Sequence, residues 1–163
     1  MFKILFVCTG NWFRSRFAEI YFNHMNLHRN NFSADSRGMD IIRVEEENCP
    51  SYNNEGFLSV YTGQYLDKIG VSHQEYKRKP LPLTENDLLE SYIIICMDEK
   101  EHKPMMEKLW PEYSHLVRYW NIGDMPKKIG QKGYEDNLIG EMPDVVLPKI
   151  KQIIDNIICD MNK

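Results

Sequence analysis

Cys8 is followed six residues later by Arg14 and then at once by Ser15; Thr9, Gly10, Asn11, Trp12 and Phe13 fill the interval. A loop of this length can curl its backbone N–H groups inward as a nest for an anion, backed by the start of a helix. Arg14 can close over that nest and hold two phosphoryl oxygens with its planar fork. Cys8 then stands at the bottom, where N–H dipoles and Arg14 favour the thiolate, the nucleophilic form. Ser15 can give that thiolate a hydroxyl hydrogen bond. Gly10 suits a backbone conformation or close approach that a side chain would obstruct. Asn11 tolerates a left-handed backbone and can bond the loop internally. With four cysteines, seven arginines and eight serines, a chance Cys-x5-Arg-Ser is about a one-in-a-hundred event, so the rival reading, a core thiol beside a solvated arginine, carries less weight.

Such a loop needs a strand before it and a helix after it. Lys3–Cys8 is short, apolar and closed by the turn signal Thr9-Gly10-Asn11, which predicts a buried strand. Phe17, Ile20, Tyr21, His24 and Leu27 recur at helical spacing, which predicts a helix from Ser15 to Leu27. Further strands are expected at Phe32–Ser36, closed by Gly38, at Tyr92–Met97 and at Leu116–Trp120. Helices are expected from Phe57 to Ile69, stopping at Gly70, from Thr84 as N-cap, and from Lys100 to Trp110 with an interruption near Pro104. A last helix runs from Pro148 to Met161 with Ile150, Ile153, Ile154, Ile157 and Ile158 on one face. Residues 123–140 are loop-rich. Alternating strands and helices predict an α/β fold: one domain over residues 1–163, a doubly wound four-stranded parallel sheet with helices on both faces. In such sheets ligands sit at the carboxyl ends of the strands, where the Cys8 loop falls.

The chain has 163 residues, 42% hydrophobic and 27% charged, so it can bury a sizeable core without a metal or disulfide. A net charge of −4 leaves no domain-wide basic field, which disfavours a nucleic-acid binder. No apolar run approaches a membrane span, and the N-terminus does not read as a secretory leader. Cys8, Cys49, Cys96 and Cys159 lie far apart, as free thiols in a reducing cytoplasm would. No Cys/His cluster points to a metal. His24 and His28 share a helical face but lack a third ligand; His73, His102 and His115 form no pattern. Lys77-Arg78-Lys79 reads as a solvated basic run that could flank a phosphate pocket, and Glu45-Glu46-Glu47 as a solvated loop.

The chain resembles the low-molecular-weight protein tyrosine phosphatases. The likeness rests on Phe6-Val7-Cys8, Gly10-Asn11, Arg14-Ser15 and Ala18-Glu19, then on Asp35-Ser36, Gly70-Val71, Arg78, Leu83-Thr84-Glu85-Asn86-Asp87 and Ile95-Cys96-Met97-Asp98. It implies a cytoplasmic, cofactor-free, metal-free hydrolase with Cys8 as nucleophile and Arg14 as phosphate clamp. The backbone of Thr9 to Ser15 would bind phosphate, and Ser15 and Ser36 would support the loop. The implied partners are a phosphotyrosine-containing protein substrate and a tyrosine kinase, with the enzyme a monomer or weak homodimer, apart from nucleic acid and membrane. The family's general acid is an Asp-Pro on a late loop. Asp124, one residue short of Pro126, matches best, with Asp136 and Asp144 as alternatives.

Four departures bear on substrate preference: Phe13 in place of a second loop cysteine, Trp12 in place of a smaller aliphatic, Arg16 in place of proline, and Lys127 after the acid's proline. Trp12 is expected as a cleft wall that stacks on a substrate ring. Three alternatives stay open: an arsenate reductase, a phosphoarginine phosphatase, and a pseudophosphatase that binds phosphoproteins without turnover.

Overall fold

The computed structural model describes residues 2–27, 31–42, 58–124 and 143–161. The first strand, β1 (Phe2–Cys8), is buried from Ile4 to Cys8, as a central parallel strand covered on both faces must be. It pairs in parallel with β2 (Phe32–Gly38) and β3 (Ile93–Cys96), and β3 pairs in parallel with β4 (Val117–Tyr119), giving the order β2-β1-β3-β4.

Alternate residues of β1 serve different faces, as strand geometry dictates. Ile4, Phe6 and Cys8 join a core with α1 (Arg14–Met25), α2 (Val60–Lys68) and α5 (Pro143–Asp160). Leu5 and Val7 join a second core with Ile94 and Cys96 of β3, Leu88 of α3 (Glu85–Glu90) and Met106 of α4 (Glu99–Leu109). Helices therefore cover both faces. On α5, Ile150, Ile154 and Ile158 are buried while Ile153 and Ile157 pack at the margin.

Helix ends follow their local chemistry. Thr84 and Asp87 cap α3 reciprocally. Gly70 takes φ +73° after α2, with Val71 N–H bonded to the Leu66 carbonyl and Gly70 N–H to that of Asp67, a left-handed stop. Pro104 was expected to interrupt its helix and Pro148 to begin one, and neither does. Pro104 lies inside α4 and Pro148 inside α5. Each leaves a carbonyl four residues earlier without its partner, at Lys100 and Asp144. Both of those residues are exposed, so water can replace the lost bond. The predicted start of α2, Phe57, lies outside the described residues.

Candidate active site

The carboxyl ends of β1 and β2 are locked together before any catalytic group is placed. Cys8 pairs with Gly38 across the sheet. Met39 N–H bonds to the Cys8 carbonyl at 3.0 Å and Asp40 N–H to the Thr9 carbonyl at 2.9 Å. A Cβ on Gly38 would stand 2.8 Å from the Thr9 carbonyl oxygen and 3.0 Å from Asn11 Cβ. Glycine is what lets β2 lie this close to the loop.

Asn11 is the left-handed residue of the loop, at φ +54°. Its side chain is saturated. Nδ2 donates to Ser36 Oγ at 2.8 Å and to Ser15 Oγ at 3.2 Å. Oδ1 accepts from Arg78 Nη1 at 3.0 Å and from Leu81 N–H at 2.9 Å. Behind it lies a buried ionic group: Glu19 Oε2 receives Arg16 Nη1 at 2.7 Å, Ser36 Oγ at 2.5 Å and Arg78 Nη2 at 2.9 Å. Several donors on one carboxylate satisfy its lone pairs, which a buried charge requires. Burial and the neighbouring Arg16 and Arg37 pull Arg78 below its usual range against the opposing pull of Glu19 and Asp35. Arg78 is thus a brace rather than part of a solvated run; its neighbours Lys77 and Lys79 are exposed.

Cys8 is 3% exposed. Its Sγ lies 2.9 Å from Ser15 Oγ and accepts Asn11 N–H at 3.3 Å. α1 starts at Arg14, with Phe13 as an N-cap that lends no side-chain hydrogen bond. Arg14 is nearly sealed at 2% exposure. Its Nη1 donates to the Ile122 carbonyl at 3.0 Å, and its Nη2 meets Glu101 Oε2 at 2.8 Å and Asp124 Oδ2 at 3.2 Å. Burial pulls the guanidinium down, but Asp124, Glu101 and Cys8 together hold it above its ordinary value. Asp124, reached from β4 through residues 120–123, is therefore brought to the loop. Asp144 is exposed in the first turn of α5, and Asp136 lies outside the described residues.

Trp12 and Phe13 are buried, at 4% and 3% exposure, in the core shared with α1, α2 and α5. Ser59 N–H holds the Trp12 carbonyl at 3.0 Å, and Thr62 Oγ1 holds that of Phe13 at 3.2 Å. The indole is packed inward instead of standing as an open wall. Two site residues escaped the sequence reading. Glu101 accepts from Arg14 and from Thr9 Oγ1, and the buried His102 stands 3.3 Å from the same hydroxyl through Nε2. Their one signal was position: they open the helix after β3, at the same end of the sheet as the Cys8 loop. Among the described residues no three His, Cys, Asp or Glu side chains cluster as a metal site. His28 and Cys49 fall outside them.

No curated protein matches the chain in sequence. Solved structures do match the fold. A low molecular weight protein tyrosine phosphatase from T. tengcongensis is 24% identical, with a TM-score of 0.67, covering 98% of this chain and 99% of that one. One from Vibrio cholerae O395 is 17% identical, with a TM-score of 0.69, covering 100% and 98%. The YwlE arginine phosphatase from Geobacillus stearothermophilus is 20% identical, with a TM-score of 0.67, covering 99% and 94%. Residues 3–135 match the family described as low molecular weight phosphotyrosine protein phosphatase, and with that span holding both the Cys8 loop and Asp124, the chain belongs to this phosphatase family.

Proposed function

We propose that this family phosphatase hydrolyses phosphotyrosine-type aryl phosphate monoesters in two steps through a cysteinyl phosphate. The Cys8 thiolate attacks phosphorus in line, and the departing phenolate takes a proton from Asp124. Water, deprotonated by Asp124, then attacks the phosphocysteine, releasing inorganic phosphate and restoring the thiolate. Arg14 and the N–H groups of residues 9–15 carry the charge on the equatorial oxygens. Ser15 stabilises the thiolate as leaving group in the second step.

The observation that carries this reading is the meeting of the two ends of the machinery. Cys8 Sγ is held by Ser15 and Asn11, while Asp124 stands 3.2 Å from Arg14 of the same loop. That contact favours turnover over mere binding. An arsenate-reducing relay is disfavoured: it needs two further cysteines near one another, and Cys96 is buried in the core on the opposite face of the sheet from Cys8. The fold neighbours include arginine phosphatases, so phosphoarginine is the substrate class to set against phosphotyrosine. We place the enzyme in the cytoplasm as a single-domain monomer or weak homodimer, acting on proteins phosphorylated by a tyrosine kinase. Among the described residues no helix is long and apolar enough to cross a membrane.

The test is hydrolysis of matched phosphotyrosine, phosphoarginine and phosphoserine peptides, beside arsenate reduction. The expected order places phosphotyrosine first in kcat/KM. A phosphoarginine preference overturns the substrate class, and binding without turnover overturns the activity.

A further inference from the structure

Arg14 already carries two carboxylates on one nitrogen. Glu101 and Asp124 both meet Nη2, at 2.8 and 3.2 Å. The structure gives Glu101 a second anchor: its other oxygen, Oε1, accepts the Thr9 hydroxyl. His102 adds a third. Its Nδ1 accepts Asp98 N–H at 2.9 Å, so the neutral ring carries its proton on Nε2, which lies 3.3 Å from Thr9 Oγ1 and 3.5 Å from Glu101 Oε2. His102 is fully buried, in α4, so it cannot swing away without disturbing that helix. Burial pushes the Glu101 carboxyl up, but Arg14 above all, with the Thr9 hydroxyl bond, outweighs it and holds it well below the usual carboxylate range. Glu101 is therefore an ionised group fixed at the mouth of the anion nest.

We propose that Glu101 sets the oxyanion affinity of the Cys8 loop: anchored by Thr9 and His102, it keeps a negative charge on Arg14 that every incoming phosphoryl group must share. This inference rests on the reading of residues 8–15 as a phosphate loop. One guanidinium faces two carboxylates before any ligand arrives. A bound phosphate dianion then leans on the backbone N–H groups and on a cation that is already compensated. The result is weak retention of inorganic phosphate, the product, in a site still able to orient a phosphate ester. Thr9 thereby has a side-chain role besides its backbone N–H.

Glu101→Gln removes the charge while its amide oxygen can still accept from Arg14 and its NH2 can donate to the Thr9 hydroxyl oxygen. Titration with inorganic phosphate is expected to show Kd falling by about tenfold or more in Glu101→Gln, the scale of one like charge a few ångströms away. Glu101→Asp, which keeps the charge, is expected to stay closer to the wild type than Glu101→Gln does. KM for an aryl phosphate should fall in step with the phosphate Kd. Unchanged or weaker phosphate binding by folded Glu101→Gln overturns the proposal, because a purely structural Glu101 would lose Arg14's alignment when altered. Glu101→Asn is titrated beside it under the same criterion, so misfolding of one variant leaves the other to decide. Phosphate binding is read apart from turnover. A wild type that binds phosphate as stated yet hydrolyses no ester sinks the proposed reaction and leaves this inference standing.

Discussion

Asn11 Nδ2 donates to Ser36 Oγ at 2.8 Å, and this bond ties the left-handed residue of the loop to the end of β2. Ser36 passes the restraint to Glu19 of α1 at 2.5 Å. The loop is thus held from the strand beside it and from the helix after it. Asn11→Ala removes four hydrogen bonds and leaves alanine at positive φ. A loss of about 2–4 kcal/mol is expected, from the strained backbone and the unpaired buried groups. Denaturant unfolding measures it, and kinetics should show kcat falling more than KM rises. Stability equal to the wild type would show that the brace is dispensable.

Asp124→Asn should slow esters with poor leaving groups by ~10²–10⁴-fold and spare activated aryl phosphates, as loss of a proton donor does. Asp144→Asn should be nearly silent, since Asp144 is exposed at the start of α5. A silent Asp124→Asn beside a crippled Asp136→Asn or Asp144→Asn would reassign the acid.

The proposed catalytic pair was legible in the sequence because Cys8 and Arg14 sit in one turn, where spacing alone sets geometry. The sheet was legible because strands such as Tyr92–Met97 are short apolar runs between turn signals. Glu101 was not. It reaches Thr9 across 92 positions, and only the β1–β3 pairing brings the two together. Trp12 misled for a related reason: an aromatic beside such a loop can face a substrate or the core, and the indole is buried in the core. Pro104, read as an interruption, and Pro148, read as a helix start, both misled because a helix tolerates proline where the orphaned carbonyl faces water. Arg78 stands in a run of three cations, yet it alone is drawn inward by Glu19 and Asn11.

Acid should destabilise the fold in part through a cluster on β2 and α3. Arg37 Nη1 meets Asp35 at 2.6 Å and Nη2 meets Asp87 at 2.9 Å. Burial pushes both carboxyls up, but Arg37 at Asp35, and Thr84 with Arg37 at Asp87, hold them below the ordinary value of 3.8. A lowered folded pKa contributes stability that is complete above the unfolded value and is lost as pH falls through the folded one. Unfolding midpoints should therefore drop most steeply below about pH 4. Arg37→Gln should flatten that slope; an unaltered slope would place the acid sensitivity elsewhere.

Peroxide should inactivate the enzyme with poor recovery by added thiol. A thiolate oxidises to sulfenic acid and onward unless a second sulfur traps it. Phe13 offers none, and Cys96 is fully buried in the opposite core, where burial, with Cys8 and Glu101 nearby, pushes its thiol far up. Phe13→Cys should improve recovery, at some loss of stability, because Phe13 is a core residue. Full recovery of the wild type, with a mass two hydrogens lower before reduction, would reveal an internal disulfide and overturn this expectation.

The central claim is that Cys8 accepts the phosphoryl group. Rapid acid quench of the enzyme with an aryl phosphate, followed by peptide mass analysis, tests it most directly. One added phosphoryl group is expected on the peptide containing Cys8. Cys8→Ser, still folded and still binding inorganic phosphate, should retain less than about a hundredth of wild-type turnover. A phosphoryl group on another residue, or a Cys8→Ser protein that turns over freely, would contradict it.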